Sequence, residues 1–529
     1  NYALNMPVIK EHRGEAGKWL TVSAFPGETP VFDARHIHYD YRVKPYGPRN
    51  PTLTGGLQHD TGVIHFRGDP DYTRIQGLHI EHSMRAGISV AGLPDPESNR
   101  PEWARYGVTQ HVEINFNSTW KTLTMGIIAA QVDEIAVLGN RVLRPHSYAM
   151  ARDPYTHAQI TPSHGSQEAI DLSRCRRLEI AYNTVAGGSK EAIDCISVED
   201  GRIHHNYVLN SLNGIYIDSW TLPIKRLEID RNFLQDAFNG IPLATEGSNH
   251  LLEFKVHHNI LVDSRCSGVG VNEATYKSKP TRVEGHRVFN NTIHRSGHFG
   301  MSIGWQAAGI EVTGHRGNPR FRDIDVWNNI VTETAGMPMK NVYRSDEKDH
   351  DILFTHNLVW PANTDTTPEW MRDGKYWQAG DFEPGKDTLV ADPGYVAPDR
   401  GDFRLKAGSA AIGAGLKGGD LGAIPHGEAW IPGLDFCGAV TAFYRGETAW
   451  EPVRIPRRYG ADFRNLPAGL QAWGGVTWFI ADEEQDDMPS VLTLAGYRTE
   501  SPAAAIEGIP GSRKAKQLDF LHTSQTNWR

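Results

Sequence analysis

The stretch QEAIDLSRCRRLEIAYNTVAGGSKEAIDCISVEDGRIHHNYV, residues 167–208, decides the fold. QEAID at 167–171 returns as KEAID at 190–194, and IAYNTV around Asn183 returns as IHHNYV around Asn206, each 23 residues on. Inside each copy, apolar and polar residues alternate over short runs, the period of strands with one face inward. A repeat of this length built from short strands is one turn of a solenoid, in which each strand pairs with its equivalent one coil later.

Working outward, the asparagine phrase recurs at Asn140, Asn183, Asn206, Asn232, Asn259, Asn291, Asn329 and Asn357, with spacings of 43, 23, 26, 27, 32, 38 and 28 residues. Asn at a turn tolerates left-handed backbone, and its amide can bond to the Asn above and below as a ladder. Each unit also carries a Gly-apolar-x-apolar strand: GISV at 87–90, GIYI at 214–217, GIPL at 240–243, GVGV at 268–271. WLTVSAFPGETPVFDA (19–34) reads as an opening rung, and IQGLHIEHSMRAGISV (75–90) as another with His82 in the Asn place. The Gly-, Pro- and Asp-rich stretch 392–425 suits a capped end.

These segments resemble the right-handed parallel β-helix proteins of the pectate-lyase-like superfamily over roughly residues 15–430, a group with many polysaccharide lyases and glycoside hydrolases. The expected fold is therefore all-β: a right-handed parallel β-helix over 1–432, then a β-sandwich-like segment over 433–529 around Trp450, Trp473 and Trp478. That segment stops soon after LDFLHT (518–523), where a sandwich would carry more strands. The chain opens at Asn1 inside a rung, as an exported protein freed of its leader would, so the expected location is secreted or periplasmic. A net charge of −9 lacks the basic face that nucleic acid requires, and no apolar run is long enough to span a membrane.

Aligned on Ala169, Ala192, Gly214 and Gly240, the rungs send Ile170, Ile193, Ile215 and Ile241 inward. Asp171, Asp194, Tyr216 and Pro242 then form one outward column. Asp218 lies two residues further beside Ala244, and Glu246 two further again on the next rung. Glu168 and Glu191 fall just before the strand on the same side. Rungs rise by about 4.8 Å and alternate residues by about 6.8 Å, so Asp194 and Asp218, like Asp218 and Glu246, stand about 8 Å apart. Such separations span the retaining and inverting regimes of glycosidases. Like charges this close raise one another's pKa, so one carboxyl can act as acid while another stays ionised. The same acids leave open a calcium site or a solvated acidic face.

KEAID, GIYIDSW and GIPLATEG on consecutive rungs also resemble a widespread group of bacterial β-helix proteins regarded as glycosidases, and β-helix xylosidases and fucosidases place acids similarly. By that resemblance Asp218 and Glu246 are the leading catalytic pair, with Asp194 third. No full motif of one characterised family is matched. A polysaccharide lyase would put a Lys, Arg or His base on the outward column; Lys190 and Arg174 lie near the acids, but 214–218 and 240–246 supply acids and aromatics instead, so hydrolysis of a polysaccharide or oligosaccharide is the favoured reading. Non-catalytic carbohydrate binding is the alternative of a different class.

Sugar contacts are expected from Glu168, Asp171, Lys190, Glu191, Tyr216 and Trp220, from Arg152 and His164 in the excursion between Asn140 and Glu168, and from Trp305. No cofactor is required on this reading, and calcium is the cation such carboxylates would take. Cys195 and Cys266 read as small core residues. His204–His205 and His257–His258 read as scaffold, adjacent residues pointing to opposite faces. Asn117-Ser-Thr and Asn290-Asn-Thr match glycosylation acceptors.

Overall fold

The computed structural model describes residues 8–34, 62–143, 168–272, 281–297, 308–313, 320–341, 352–361 and 381–428, apart from breaks of one to four residues, and two strands at 476–480 and 492–496. One turn of the coil runs through Glu168–Ser173, Arg176–Ala181 and Thr184–Ala186 before Glu191–Ile196 begins the next. Each strand pairs in parallel with its equivalent: Ile170 with Ile193, Leu178 with Gly201, Val185 with Val208. The result is a three-faced parallel β-helix, and strand–crossover–strand connections of this kind take the right-handed path. The first face holds the Glu168 and Glu191 strands, the third holds Arg176–Ala181, and the second holds Thr184–Ala186.

Strict alternation drives the core. Ile170, Leu172, Ile193, Cys195, Ile215 and Ile217 from the first face meet Ile180 and Ile203 from the third and Val185 and Val208 from the second in one buried cluster. Cys195 and Cys266 are free and buried, as their apolar contexts predict, and Cys175 is free and buried as well. Burial raises the Cys195 thiol well above its ordinary range, with the charges of Asp194 and Asp171 adding to it.

The asparagine ladder forms, with Asn117 added at its start. Asn140 Nδ2 donates to Asn183 Oδ1 at 3.0 Å, and Asn183, Asn206 and Asn232 each pass the bond on at 2.9–3.0 Å. Each Oδ1 also accepts a backbone N–H, as Asn206 Oδ1 does from Asn183 at 3.0 Å, and each Nδ2 reaches a strand carbonyl, as Asn206 Nδ2 does Ile180 at 2.8 Å. The left-handed backbone expected at these asparagines lies one residue earlier: Tyr182, His205, Arg231, His258, Asn290, Asn328 and His356 have φ between 49° and 57°. The Asn is selected for its bonds, not for its torsion.

Other expectations shift for related reasons. Leu78, not His82, occupies the ladder position of its rung, since its N–H donates to Asn117 Oδ1 at 3.1 Å. His204 and His205 do not point to opposite faces, because the left-handed turn at His205 brings their Nδ1 atoms to 2.8 Å; His257 and His258 repeat this at 2.8 Å. Asn117 is fully buried in the ladder, and Asn290 Nδ2 donates to the carbonyl of Asp420 at 2.8 Å, which takes both asparagines into the scaffold.

The stretch 392–425 does not plug the end of the coil. It folds back along the second face, where Tyr395, Phe403, Leu405, Leu421 and Ile424 pack on Phe233, Ile260, Ile330 and Leu358. Of the expected sandwich, one antiparallel pair is described, Val476–Ile480 with Leu492–Gly496; the rest of 433–529 lies outside the described residues. No helix among the described residues is long and apolar enough to cross a membrane.

Candidate active site

The outer side of the first face carries three columns of side chains. The middle one runs Ser89, Ile128, Asp171, Asp194 and Tyr216 through successive Cα pairings, and further along pairs Pro242 with Gly270 and Gly270 with Glu311. A second, at the strand entrances, runs Glu168, Glu191, Asn213, Asn239 and Ser267. A third, two residues past the middle, runs Ala130, Ser173, Ile196, Asp218 and Ala244. The alignment read from sequence is therefore the observed register. Asp171 and Asp194 are direct neighbours, and Asp218 sits between Ile196 and Ala244.

The entrance column has the same parity as the inward residues, yet it turns outward. Oxygens of Glu168, Glu191 and Asp194 all lie within 4.8 Å of one another. One rung earlier, Met125 and Ile128 form with Ala86 a small apolar cluster separate from the main core, three residues apart just as Glu168 and Asp171 are. The acids thus border an apolar edge on one side and the amides of Asn213 and Asn239 on the other.

These acids are not a solvated face. Glu168, Asp171, Glu191, Asp194 and Asp218 are 1–4% exposed, and Tyr216 is buried beside them. Carboxylates removed from water persist only where protons, cations or hydrogen-bond donors compensate them. From the rung of Glu168 to that of Ala244 the three columns contain no Lys, Arg or His. The third face differs. There Arg202 holds Asp230 through two bonds of 2.7 Å, and Lys225 holds Glu199 at 3.1 Å. The grouping of Glu228, Asp230 and His257 is thus filled by the Arg202 guanidinium.

A chain of donors ends on one acid. Ser267 Oγ donates to Asn239 Oδ1 at 3.4 Å, Asn239 Nδ2 to Asn213 Oδ1 at 2.8 Å, and Asn213 Nδ2 to Glu191 Oε1 at 3.1 Å. Sequence reading missed this column because Asn-Gly, present at both 213–214 and 239–240, signals a turn rather than a strand interior. Only the register of the repeat, carried one residue group further, would have found it.

At the rim, Trp220 is 44% exposed and follows Asp218 by two residues. Gly247 lies against its backbone so closely that a Cβ there would stand 1.7 Å from the Trp220 carbonyl oxygen. Asn249 Nδ2 donates to the same carbonyl at 3.0 Å. An excursion that sequence reading passed over, residues 92–108, crosses neighbouring rungs beside this corner. Tyr106 donates to Pro223 O at 2.7 Å, and Arg100 reaches Thr221 O at 3.5 Å. Its length between two strands of known register was the available signal.

Asp194, Asp218, Glu168, Asp171, Glu191, Tyr216 and Trp220 therefore lie on or at the edge of one face. Glu246, Lys190, Arg152, His164 and Trp305 lie outside the described residues. Oxygens that share one calcium ion, each about 2.3–2.6 Å from it, stand no more than about 5 Å apart, so Glu168, Glu191 and Asp194 fit such an ion in donor type and spacing.

No family model matches this chain, and no curated protein matches it. Among solved structures, it is similar to a double mutant of the tailspike protein of E. coli bacteriophage HK620, with TM-score 0.34 and 10% identity over 64% of this chain and 59% of that one. It is also similar to XylC in complex with xylose, at TM-score 0.32 and 11% identity over 63% and 55%. A hyperthermoactive exopolygalacturonase from Thermotoga maritima matches at TM-score 0.27 and 12% identity over 58% and 82%. The chain thus spans less than two thirds of the first two. None of these likenesses bears on the acidic face, whose chemistry follows from its own geometry.

Proposed function

We propose that the chain is a glycoside hydrolase that cleaves a polysaccharide or oligosaccharide on the outer side of its first face. The observation that carries this reading is the convergence of three buried carboxylates, Glu168, Glu191 and Asp194, with Asp171 and Asp218 on adjoining positions. Asp194 is the centre: it neighbours Asp171 one rung away and shares a 4.8 Å group with the two glutamates. Repulsion within such a group favours a shared proton, which makes Asp194 the general acid that protonates the leaving oxygen. Asp218, about 8 Å away by rung geometry, serves as the second carboxylate. That backbone separation is compatible with either a nucleophilic or a water-activating role for Asp218. Trp220 supplies an apolar platform for a sugar ring at the rim. Glu246 is retained as a proposed partner of Asp218 on the next rung.

Elimination on a uronate is disfavoured because the columns offer no basic side chain over these rungs. The test is a glycan screen of the purified protein with products read by mass. Hydrolysis adds one water to the cleaved glycan; elimination adds none and leaves an ultraviolet-absorbing unsaturated uronate. Binding with no product would instead make the face a lectin-like site. A calcium requirement is read in the same assay, by chelation and re-addition of calcium.

A further inference from the structure

We propose that Tyr106, Ser197 and Asn249 are positioning residues that hold the Trp220 indole as a preformed platform for a sugar ring beside Asp218. The platform's use in turnover rests on the hydrolytic reading above; its rigidity does not. The chain departs from its repeat at the corner between the first and third faces. One rung before Trp220, Ser197 leads straight to Val198, and the register sets Ile196 beside Asp218 and Glu199 beside Lys225. Between the equivalent Ser219 and Ile224 the chain inserts Trp220, Thr221, Leu222 and Pro223. Leu222 is buried and anchors the insertion, whereas Trp220, two residues before it, is 44% exposed.

Separate segments of the chain bond the backbone of this insertion. Ser197 Oγ, fully buried, accepts the N–H of Thr221 at 2.9 Å and that of Leu222 at 3.0 Å. Asn249 Nδ2 donates to Trp220 O at 3.0 Å. Tyr106 Oη donates to Pro223 O at 2.7 Å, and Arg100 of the same excursion reaches Thr221 O at 3.5 Å. That excursion leaves the coil after Ala91, four rungs before Trp220, and is tied down on the way where Gly107 N–H donates to Arg174 O at 3.1 Å. The peptide that follows Trp220 is thus held at its oxygen by Asn249 and at its nitrogen by Ser197. On the near side Ser219 N–H donates to Ala244 O at 3.1 Å, so the direction of the Trp220 Cα–Cβ bond is fixed. An indole on a fixed backbone has only two torsions left to order when a ligand stacks on it, so little entropy is lost on binding. The coil itself does not need the insertion, since the corner one rung earlier closes without it.

Tyr106→Phe removes one hydroxyl and keeps the ring. It should raise KM about two- to threefold with kcat unchanged, part of the loss expected for Trp220→Ala. In the Trp220→Ala background it should raise KM no further, because the two changes act on one contact. The same factor in both backgrounds would mean that Tyr106 acts elsewhere, and an unchanged KM would mean that the platform stands without it; either result overturns the proposal. Fluorine NMR of the protein labelled with 5-fluorotryptophan, recorded without glycan, separates this from failure of the hydrolytic reading. The Trp220 resonance is the one that Trp220→Ala removes. It should be single and narrow in the wild type. In Tyr106→Phe, Ser197→Ala and Asn249→Ala it should broaden or split while the other tryptophans stay in place. Gly247→Ala, whose Cβ would stand 1.7 Å from the Trp220 carbonyl oxygen, should displace it furthest. A Trp220 resonance that Tyr106→Phe, Ser197→Ala and Asn249→Ala leave unchanged contradicts the proposal, whether or not any glycan is cleaved.

Discussion

Two columns of amides run along this coil, and they bond in opposite senses. In the scaffold ladder each Asn donates to the next one toward the C-terminus, as Asn206 does to Asn232 at 2.9 Å, and each also bonds the backbone on both sides. In the first-face column the donation runs toward the N-terminus, from Asn239 to Asn213 to Glu191, and touches no backbone. The same residue type at the same rung spacing does two jobs. An amide saturated by backbone closes a turn; an amide bonded only to side chains orients whatever stands at the end of its column. What distinguishes them is the column, not the residue.

The largest way to sharpen that contrast is Asp194→Asn. Turnover should fall by about a thousandfold, within the range that a general acid contributes, while the melting temperature holds because the amide keeps the shape of a carboxyl that already carries the proton. Asn232→Leu should do the reverse. It breaks the ladder, strands buried donors and acceptors on both neighbouring rungs, and costs about 2–4 kcal/mol, with kcat of the folded protein unchanged. Loss of turnover without loss of stability in that variant would erase the distinction between the columns.

Stability should also respond to acid through the scaffold. Burial is the main cause that lowers His205, His258 and His294 to about 4 and His286 to about 3. Their folded values lie below the unfolded one, so the unfolded chain binds protons more readily between the two. Stability is complete above about 6.5 and declines as pH falls toward 4. Thermal melts across that range check this, and a flat profile would contradict it. The smallest expected effect is Trp220→Ala, which should raise KM about three- to tenfold with little change in kcat, as loss of one aromatic platform implies.

How much of this was legible in the sequence depended on periodicity. The 23-residue return of EAID placed Asp171 on Asp194 and Ile170 on Ile193 correctly, because a one-residue slip would have turned every side chain to the wrong side. Alternation failed where the backbone turns a corner. It could not show that His204 meets His205 through a left-handed turn, although it did set Glu168 and Glu191, in phase with inward residues, on the side of Asp194. It also assigned the left-handed torsion to the ladder Asn instead of the residue before it, since sequence preference alone does not separate a residue's torsion from its side-chain bonds. The stretch 392–425 looked like a cap because Gly and Pro broke the period; its apolar residues match the outer column of the second face, a pairing between residues far apart in the chain that no local pattern reveals.

The central claim, that the buried acids of the first face add water across a glycosidic bond, is tested most directly by cleavage of a competent glycan in water labelled with oxygen-18. Wild-type product should carry one labelled oxygen at the new reducing end, and Asp194→Asn and Asp218→Asn should yield almost none. Unlabelled, unsaturated product, or labelled product at the wild-type rate from Asp194→Asn, would contradict it.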